Sequence, residues 1–421
     1  MKNILIEENR HWQGKTQNFI KREKLSKLIA FLPLKQIITI SGIRRCGKST
    51  LAKEAIQYLI DTGTHPHNIF FINLEQPSFL EYKHDPSYLN VIYETYLKLV
   101  NPQGKVYVIF DEVQFFEQWQ VFVKSKYENS DIKFIITGSN SSMLSGDLNT
   151  LLSGRSLNIH LDTFSFREFL DYKGVDYRSE MSRISNKIDI ARAKDEYLKW
   201  GGFYEVFEVE SESVKKELLI SYAKNIIYQD IIPRYKIRNS EIIERLFFYL
   251  LNNITGVLNY TTLSKTFDIS DKTIKEYINY FEDVFLLKRM DKYHTKQKEQ
   301  IKSSKKIYAL DNGFLQIAPK HSENIGVALE NLVFNLLNQT GSGLTYMKET
   351  YEIDFLCNDI LYQVTYDISD EKTKKRELRA FEYFKSKKIQ GCQLVTYETI
   401  EAIGDVKVIS VDTLMLNSAT M

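Results

Sequence analysis

The sequence predicts an α/β fold built on a parallel sheet with helices on both faces. Three observations carry this. Short apolar runs recur at residues 36–41, 69–73, 106–110, 134–137 and 157–161. Longer segments of helical periodicity separate them, and strand–helix alternation of this kind gives parallel sheets. A glycine-rich loop follows the first apolar run and opens a helical run.

The first run ends at Gly42-Ile43-Arg44-Arg45-Cys46-Gly47-Lys48-Ser49, followed by Thr50. This fits G-x-x-x-x-G-K-[ST] in the strand-to-helix context that the motif requires. Glycines let successive N–H groups turn inward as an anion nest. Lys48 is expected to set a positive charge on the β- and γ-phosphates, and Ser49 to offer its hydroxyl to Mg2+. The helix N-terminus that follows adds its positive dipole end. Residues 42–50 are therefore the expected nucleotide-binding set.

The third run ends in Asp111-Glu112. Carboxylates at the C-terminal edge of a parallel strand lie where open α/β sheets bind ligands. Asp111 is the expected Mg2+ residue, and Glu112 the residue that polarises the attacking water. The fourth run ends in Thr137-Gly138-Ser139-Asn140. Two readings stand there: Asn140 or Ser139 reaches the γ-phosphate or the water, or the stretch is a polar turn. Arg155 has two readings as well. It is a finger on γ-phosphate charge, in cis or on a neighbouring subunit, or it is a surface ion pair.

From residue 165 to about 255 the pattern is mostly helical, broken at Gly201-Gly202. Residues 260–281 then read as two short helices across a tight turn, with Ser270 as the N-cap of the second. A strand near 286–290 and a lysine-rich hairpin reaching about 310 follow. The second helix offers Asp271, Lys272, Lys275 and Glu276, and the hairpin offers Lys288, Arg289, Lys292, Lys296 and Lys298. That balance favours a protein-interaction or structural module over a DNA reader, and leaves double-stranded DNA as the other partner. From 326 the order is helix, strand, strand, helix, strand.

Composition bounds the function. The chain has 421 residues, enough for two to four domains at about 150 each. Lys+Arg is 56 and Asp+Glu 54, a net charge of +2. Charge alone gives no nonspecific nucleic-acid affinity. Three scattered cysteines, Cys46, Cys357 and Cys392, give no zinc spacing and fit a cytoplasmic protein. The chain opens without an apolar signal core, and no apolar run of about 18 residues appears, so no membrane association is expected.

These motifs resemble the AAA-type P-loop ATPases of archaea and bacteria that carry a C-terminal PD-(D/E)XK nuclease-like domain. The resemblance runs over nearly the whole chain. It rests on the glycine loop with Arg44-Arg45, on residues 110–114 with Trp119, and on Thr137-Gly138-Ser139. It rests also on Ser153-Gly154-Arg155, on residues 164–169 and on Gly201-Gly202-Phe203-Tyr204-Glu205, with Tyr204 in a proline's place. It implies an AAA-type ATPase core at 15–165, a helical lid at 166–250, a winged helix at 251–312 and a nuclease-like domain at 320–415. It implies ATP rather than GTP, hydrolysis to ADP and phosphate, and a finger role for Arg155. A trans finger needs at least a transient homo-oligomer. The alternative is a nucleotide-switch scaffold that does not hydrolyse.

An active nuclease of this kind needs a helix Glu, a strand Asp and an E-x-K pair. Glu330 and Asp354 match, but the pair reads Gln363-Val364-Thr365. Gln is a poor ligand for a hard dication, and Thr cannot stand in for an ammonium. No nuclease activity is expected. Glu330 and Asp354 are left to structural hydrogen bonds or a weak metal. Lys372, Lys374 and Lys375 are expected to be solvated.

Overall fold

A computed structural model describes residues 1–15, 19–140, 152, 154–319, 324–339, 343–384, 389–398 and 403–417. Ser153 and residue 320 lie outside the described residues. The chain divides into two units, Met1–Thr163 and Phe164–Met421.

The first unit is built on five strands: β1 (Ile37–Ser41), β2 (Ile69–Asn73), β3 (Val106–Asp111), β4 (Ile132–Gly138) and β5 (Ser156–His160). Their order is β2-β3-β4-β1-β5, and all are parallel. β1 is buried along its whole length, which explains a continuous apolar run instead of an alternating one. Helices α1 (Lys48–Asp61), α2 (Tyr88–Val100) and α3 (Trp119–Asn129) provide the crossovers. Register aligns the functional ends: Ser41 pairs Gly138, and Asn73 pairs Asp111. The C-terminal ends of β1, β3 and β4 therefore open on one edge.

β4 starts two residues earlier than the apolar run at 134–137 shows. The reason is Lys133, which is 1% exposed within the strand. Its ammonium donates to the carbonyls of Phe31, Leu34 and Gln36 at 2.8, 2.7 and 2.5 Å. Burial, with Lys105 nearby, lowers its pKa to about 8. A charge satisfied by three carbonyls hides a buried strand from a hydropathy pattern.

The second unit begins with α4 (Phe166–Lys173), whose Ser165 and Glu168 form a reciprocal capping box. Helices α5 (Lys187–Trp200), α6 (Glu212–Asn225) and α7 (Ser240–Leu251) follow. The Gly201-Gly202 break is clamped by Asp311, which accepts from Gly202 N at 2.9 Å and Gly313 N at 2.8 Å. Next come α8 (Tyr260–Phe267) and α9 (Asp271–Asp283), with Ser270 accepting from Thr273 N as the N-cap. β6 (Leu287–Lys292) and β7 (Lys305–Ala309) form an antiparallel hairpin, and its connection carries a short helix, Gln297–Lys302.

The remainder runs α10 (Ile325–Asn338), β8 (Thr345–Lys348), β9 (Glu352–Cys357), β10 (Ile360–Thr365), α11 (Glu371–Phe384), β11 (Gly391–Thr396), β12 (Lys407–Ser410) and α12 (Val411–Asn417). Two short strands, β8 and β12, are additions to the sequence reading. The hairpin also differs from it. β6 pairs in parallel with β8, through Asp291–Thr345 and Lys292–Tyr346. One seven-stranded sheet results, ordered β12-β11-β10-β9-β8-β6-β7. The boundary drawn at 312–320 therefore cuts through a continuous sheet. A two-residue pairing between strands more than 50 positions apart leaves no local signal. No helix among the described residues is long and apolar enough to cross a membrane.

Candidate functional site

The glycine loop joins β1 to α1. A Cβ on Gly42 would stand 2.0 Å from the carbonyl oxygen of Leu161. Gly47 has φ 97°, and a Cβ there would meet the Arg22 guanidinium at 2.7 Å. Neither position accepts a side chain. Arg45 and Glu112 also hold left-handed backbones, at φ 69° and 53°. Such conformations cost about 1–3 kcal/mol each and cluster at ligand sites.

Lys48 is 3% exposed. Its ammonium donates to the carbonyls of Gly42 and Ile43, both at 3.1 Å, and lies 3.6 Å from Glu112 Oε1. Ser49 donates from Oγ to Asp111 Oδ2 at 2.7 Å. Thr137 donates to Asp111 Oδ1 at 2.6 Å and accepts from Glu112 N at 3.0 Å. Gln114 donates to Glu112 Oε2 at 2.5 Å and to Ser139 Oγ at 3.0 Å. One network thus joins the ends of β1, β3 and β4.

Charge within it is asymmetric. Burial, then the adjacent Glu112, pushes Asp111 up to about 6, against hydrogen bonds from Thr137 and Ser49. Burial acts on Glu112 in the same direction, but Lys48, Gln114 and Arg44 outweigh it and hold its carboxyl below the usual range. Glu112 is ionised at neutral pH, as a proton acceptor must be. The Ser49 hydroxyl and Asp111 carboxylate form a hard oxygen set that suits Mg2+. These two residues would hold it.

The other expected residues fall as follows. Ile43 and Cys46 are buried within the loop, and Thr50 sits in the first turn of α1. Arg44 pairs with Glu75 at 3.0 Å. Asn140, 5% exposed, follows Ser139 at the β4 end. Arg155 is a correction to the cis reading. It precedes β5 beside the start of β1, where Ile37 N donates to its carbonyl at 2.8 Å. That is the sheet end opposite the loop, roughly 15 Å away along a five-residue strand. Its guanidinium meets Glu128 at 3.3 Å.

Sequence reading gave no role to Arg22, Thr137 or Gln114. Arg22 is 3% exposed and braces the loop from outside, donating to the carbonyls of Cys46 at 2.5 Å and Asp162 at 2.9 Å. Nothing in its local sequence marks it. Thr137 and Gln114 belong to the motifs at 137–140 and 110–114, and their polarity beside the carboxylates is the available signal.

The AAA domain family matches residues 34–170, and a domain of unknown function matches 192–324. An uncharacterized protein of Haemophilus influenzae is 32% identical over 399 residues, covering 89% of this chain and 97% of its own length. An uncharacterized protein of Methanocaldococcus jannaschii is 32% identical over 382 residues, covering 88% and 82%. This chain belongs to their family. Its first unit is an AAA-type P-loop core. Among solved structures, the Aeropyrum pernix ORC1 protein in complex with DNA covers 72% of this chain and 91% of that one, at 10% identity and a TM-score of 0.34. AMPPCP-bound DnaA from Aquifex aeolicus covers 63% and 89%, at 16% identity and a TM-score of 0.29. Scores this low carry no functional weight.

In the second unit, Glu330 lies on α10 and Asp354 on β9, as expected. Glu352 stands two residues before Asp354 on the same face of β9. A lysine is present among them, and it is Lys306 of β7, none of the three lysines weighed from the sequence. Lys306 is 4% exposed. Its ammonium lies 2.9 Å from Glu352 Oε1, 3.1 Å from Glu330 Oε1 and 3.8 Å from Asp354 Oδ1.

Proposed function

We propose that this chain binds ATP with Mg2+ at the glycine loop, hydrolyses it to ADP and phosphate, and passes a conformational change to a DNA or protein partner. The carrying observation is the network that joins Lys48, Ser49, Asp111 and Glu112 across three strand ends. The loop's N–H groups and Lys48 hold the phosphates. Ser49 and Asp111 would hold Mg2+, whose charge offsets that of the β- and γ-phosphates. Glu112, ionised and steadied by Gln114, accepts the proton of the attacking water. Asn140 and Ser139 line the same edge and orient that water. ATP is preferred over GTP on the resemblance; the literal N-K-x-D of the sequence, Asn186-Lys187-Ile188-Asp189, opens α5 in the second unit instead of ending a strand of the core sheet.

Arg155 is reserved for a neighbouring copy. It stands before β5, far from its own loop, with a side chain 39% exposed. A homo-oligomer would bring it to the adjacent γ-phosphate.

The segment α8–α9 with the β6–β7 hairpin reads as a winged helix, and a protein partner fits it better than DNA. Arg289 is committed to Glu282, which accepts from its Nε at 3.0 Å, and to Asn279 at 2.6 Å. Lys305 pairs with Asp291 at 2.5 Å. Such pairing removes phosphate anchors from the hairpin.

Steady-state phosphate release, with and without double-stranded DNA, tests the reading on wild type, Lys48→Ala and Glu112→Gln. Turnover that vanishes in both variants while Glu112→Gln still binds ATP is the expected result. Stimulation by DNA would reverse the partner preference. Tight ATP binding with no turnover in the wild type would leave a nucleotide switch.

A further inference from the structure

The nuclease-like reading of residues 320–415 implies a divalent metal held by Glu330 and Asp354. The residues present do not fit one. We propose that Lys306 is the resident cation of this cluster: its ammonium replaces a divalent metal, the cluster binds none, and the charge fastens the β6–β7 hairpin to the C-terminal sheet. This stands independently of the ATP reading.

The oxygens show why. Glu330 Oε1 accepts both from Lys306 Nζ at 3.1 Å and from Tyr308 OH at 2.9 Å. Asp354 Oδ2 accepts from Val364 N at 2.9 Å. Gln363 Oε1, at the position of the missing carboxylate, accepts from Asp354 N at 3.2 Å. Glu352 divides its oxygens between Lys306 at 2.9 Å and Lys348 at 2.6 Å. A divalent ion would need such oxygens at about 2.0–2.6 Å. It would then sit against a fixed ammonium, and like charges at that distance repel strongly where water is excluded.

The lysine is also anchored on both sides by packing. Tyr308, two residues along β7, is fully buried and stacks on Phe334 of α10 at 4.0 Å. Lys306 itself faces the Tyr346 ring of β8 at 5.6 Å. The three carboxylates come from α10 and β9, and the ammonium comes from the hairpin that follows α8 and α9. The ion cluster therefore links the helix-turn-helix segment to the nuclease-like fold. Without a Lewis acid, the cluster lacks the group that activates water for phosphodiester cleavage.

The test uses full-length, nucleotide-free protein in an Asp111→Asn background, so that the P-loop oxygens do not report. Mn2+ binding is followed by electron paramagnetic resonance and by the thermal midpoint. With Lys306 intact, Mn2+ is expected to leave the midpoint unchanged, and adding Asp354→Asn is expected to leave Mn2+ binding unchanged. Lys306→Ala is expected to gain Mn2+ affinity by roughly tenfold or more, with a midpoint that climbs as Mn2+ is added, as mass action requires. Stoichiometric Mn2+ bound in the Lys306-intact chain and lost with Glu330→Gln or Asp354→Asn would overturn the proposal. That arm decides the matter even if Lys306→Ala fails to fold. A folded Lys306→Ala protein that gains no Mn2+ affinity would overturn it as well.

Discussion

Lys48 and Lys306 are both buried beside carboxylates, and their surroundings assign them opposite tasks. Lys48 is held by two backbone carbonyls and, more distantly, by Glu112. Lys306 is held by three carboxylates on a helix and a strand. Carbonyls of a glycine loop are neutral partners, which an ammonium can leave for a phosphate without stranding a charge. Carboxylates are not. Removing Lys306 leaves buried anions unpaired, a costly state in a low-dielectric interior. Neutral partners thus let Lys48 turn to a phosphate, whereas Lys306 is tied to its carboxylates.

The charge balance makes the same point. The carboxylates hold Lys306 above the ordinary lysine range despite burial. One ammonium cannot neutralise three acids, so burial and the charge of Glu330 push Asp354 well up. At the loop the lysine instead draws Glu112 down. One site keeps an ionised base ready, and in the other burial and a neighbouring carboxylate disfavour the charged form of Asp354.

The comparison breaks most visibly at Lys48. Lys48→Ala should lower turnover by about 10^3-fold or more, since it removes charge stabilisation aimed at the transferring phosphate. A phosphate-release assay beside a fluorescent-nucleotide titration reads it, with binding lost in parallel. The midpoint of thermal unfolding should move little.

Glu112→Gln should reduce kcat by about 10^2–10^4-fold, the usual span for a general base, with nucleotide binding retained. A matching loss of binding in an isothermal titration would show that Glu112 holds the loop instead of the water.

At Lys306 the order of effects reverses. Lys306→Ala should cost about 3–5 kcal/mol of stability, the toll of breaking a buried ion cluster. Denaturant unfolding measures it. ATP turnover of the folded fraction should stay near the wild-type value.

The pH dependence sharpens the contrast further. Asp111, raised to about 6, takes up a proton as pH falls through that value. Protons then compete with Mg2+, so apparent Mg2+ affinity for the nucleotide complex should drop about tenfold per pH unit below 6. In stability terms the sign is opposite. The folded protein binds this proton more tightly than the unfolded chain, so Asp111 opposes folding increasingly as pH rises from about 4 to 6. Replacing it by Asn should raise the neutral-pH midpoint while removing the Mg2+ effect.

The smallest effect is local. Ser270→Ala removes the N-cap of α9 and should cost about 1 kcal/mol, with no change in turnover. A change in turnover would show that α9 is coupled to the nucleotide site.

Sequence by itself determined the parallel core. Each buried strand of that sheet carries a run of apolar residues, in β4 only after Lys133, and the loop after β1 needs the glycines at 42 and 47. Contiguous residues carry both signals, because strands and turns are short-range objects. Ser270 was legible for the same reason. Tertiary structure decided what crosses long stretches of chain. It set Arg22 behind the loop, Arg155 at the far end of the sheet, the hairpin into the seven-stranded sheet and Lys306 among three carboxylates. A buried charge finds its partner through space, and Lys306 meets Glu352 across 46 positions of sequence with nothing local to announce it. Hydropathy reads such a residue as solvent-facing. Only the packed fold shows that its charge is already answered.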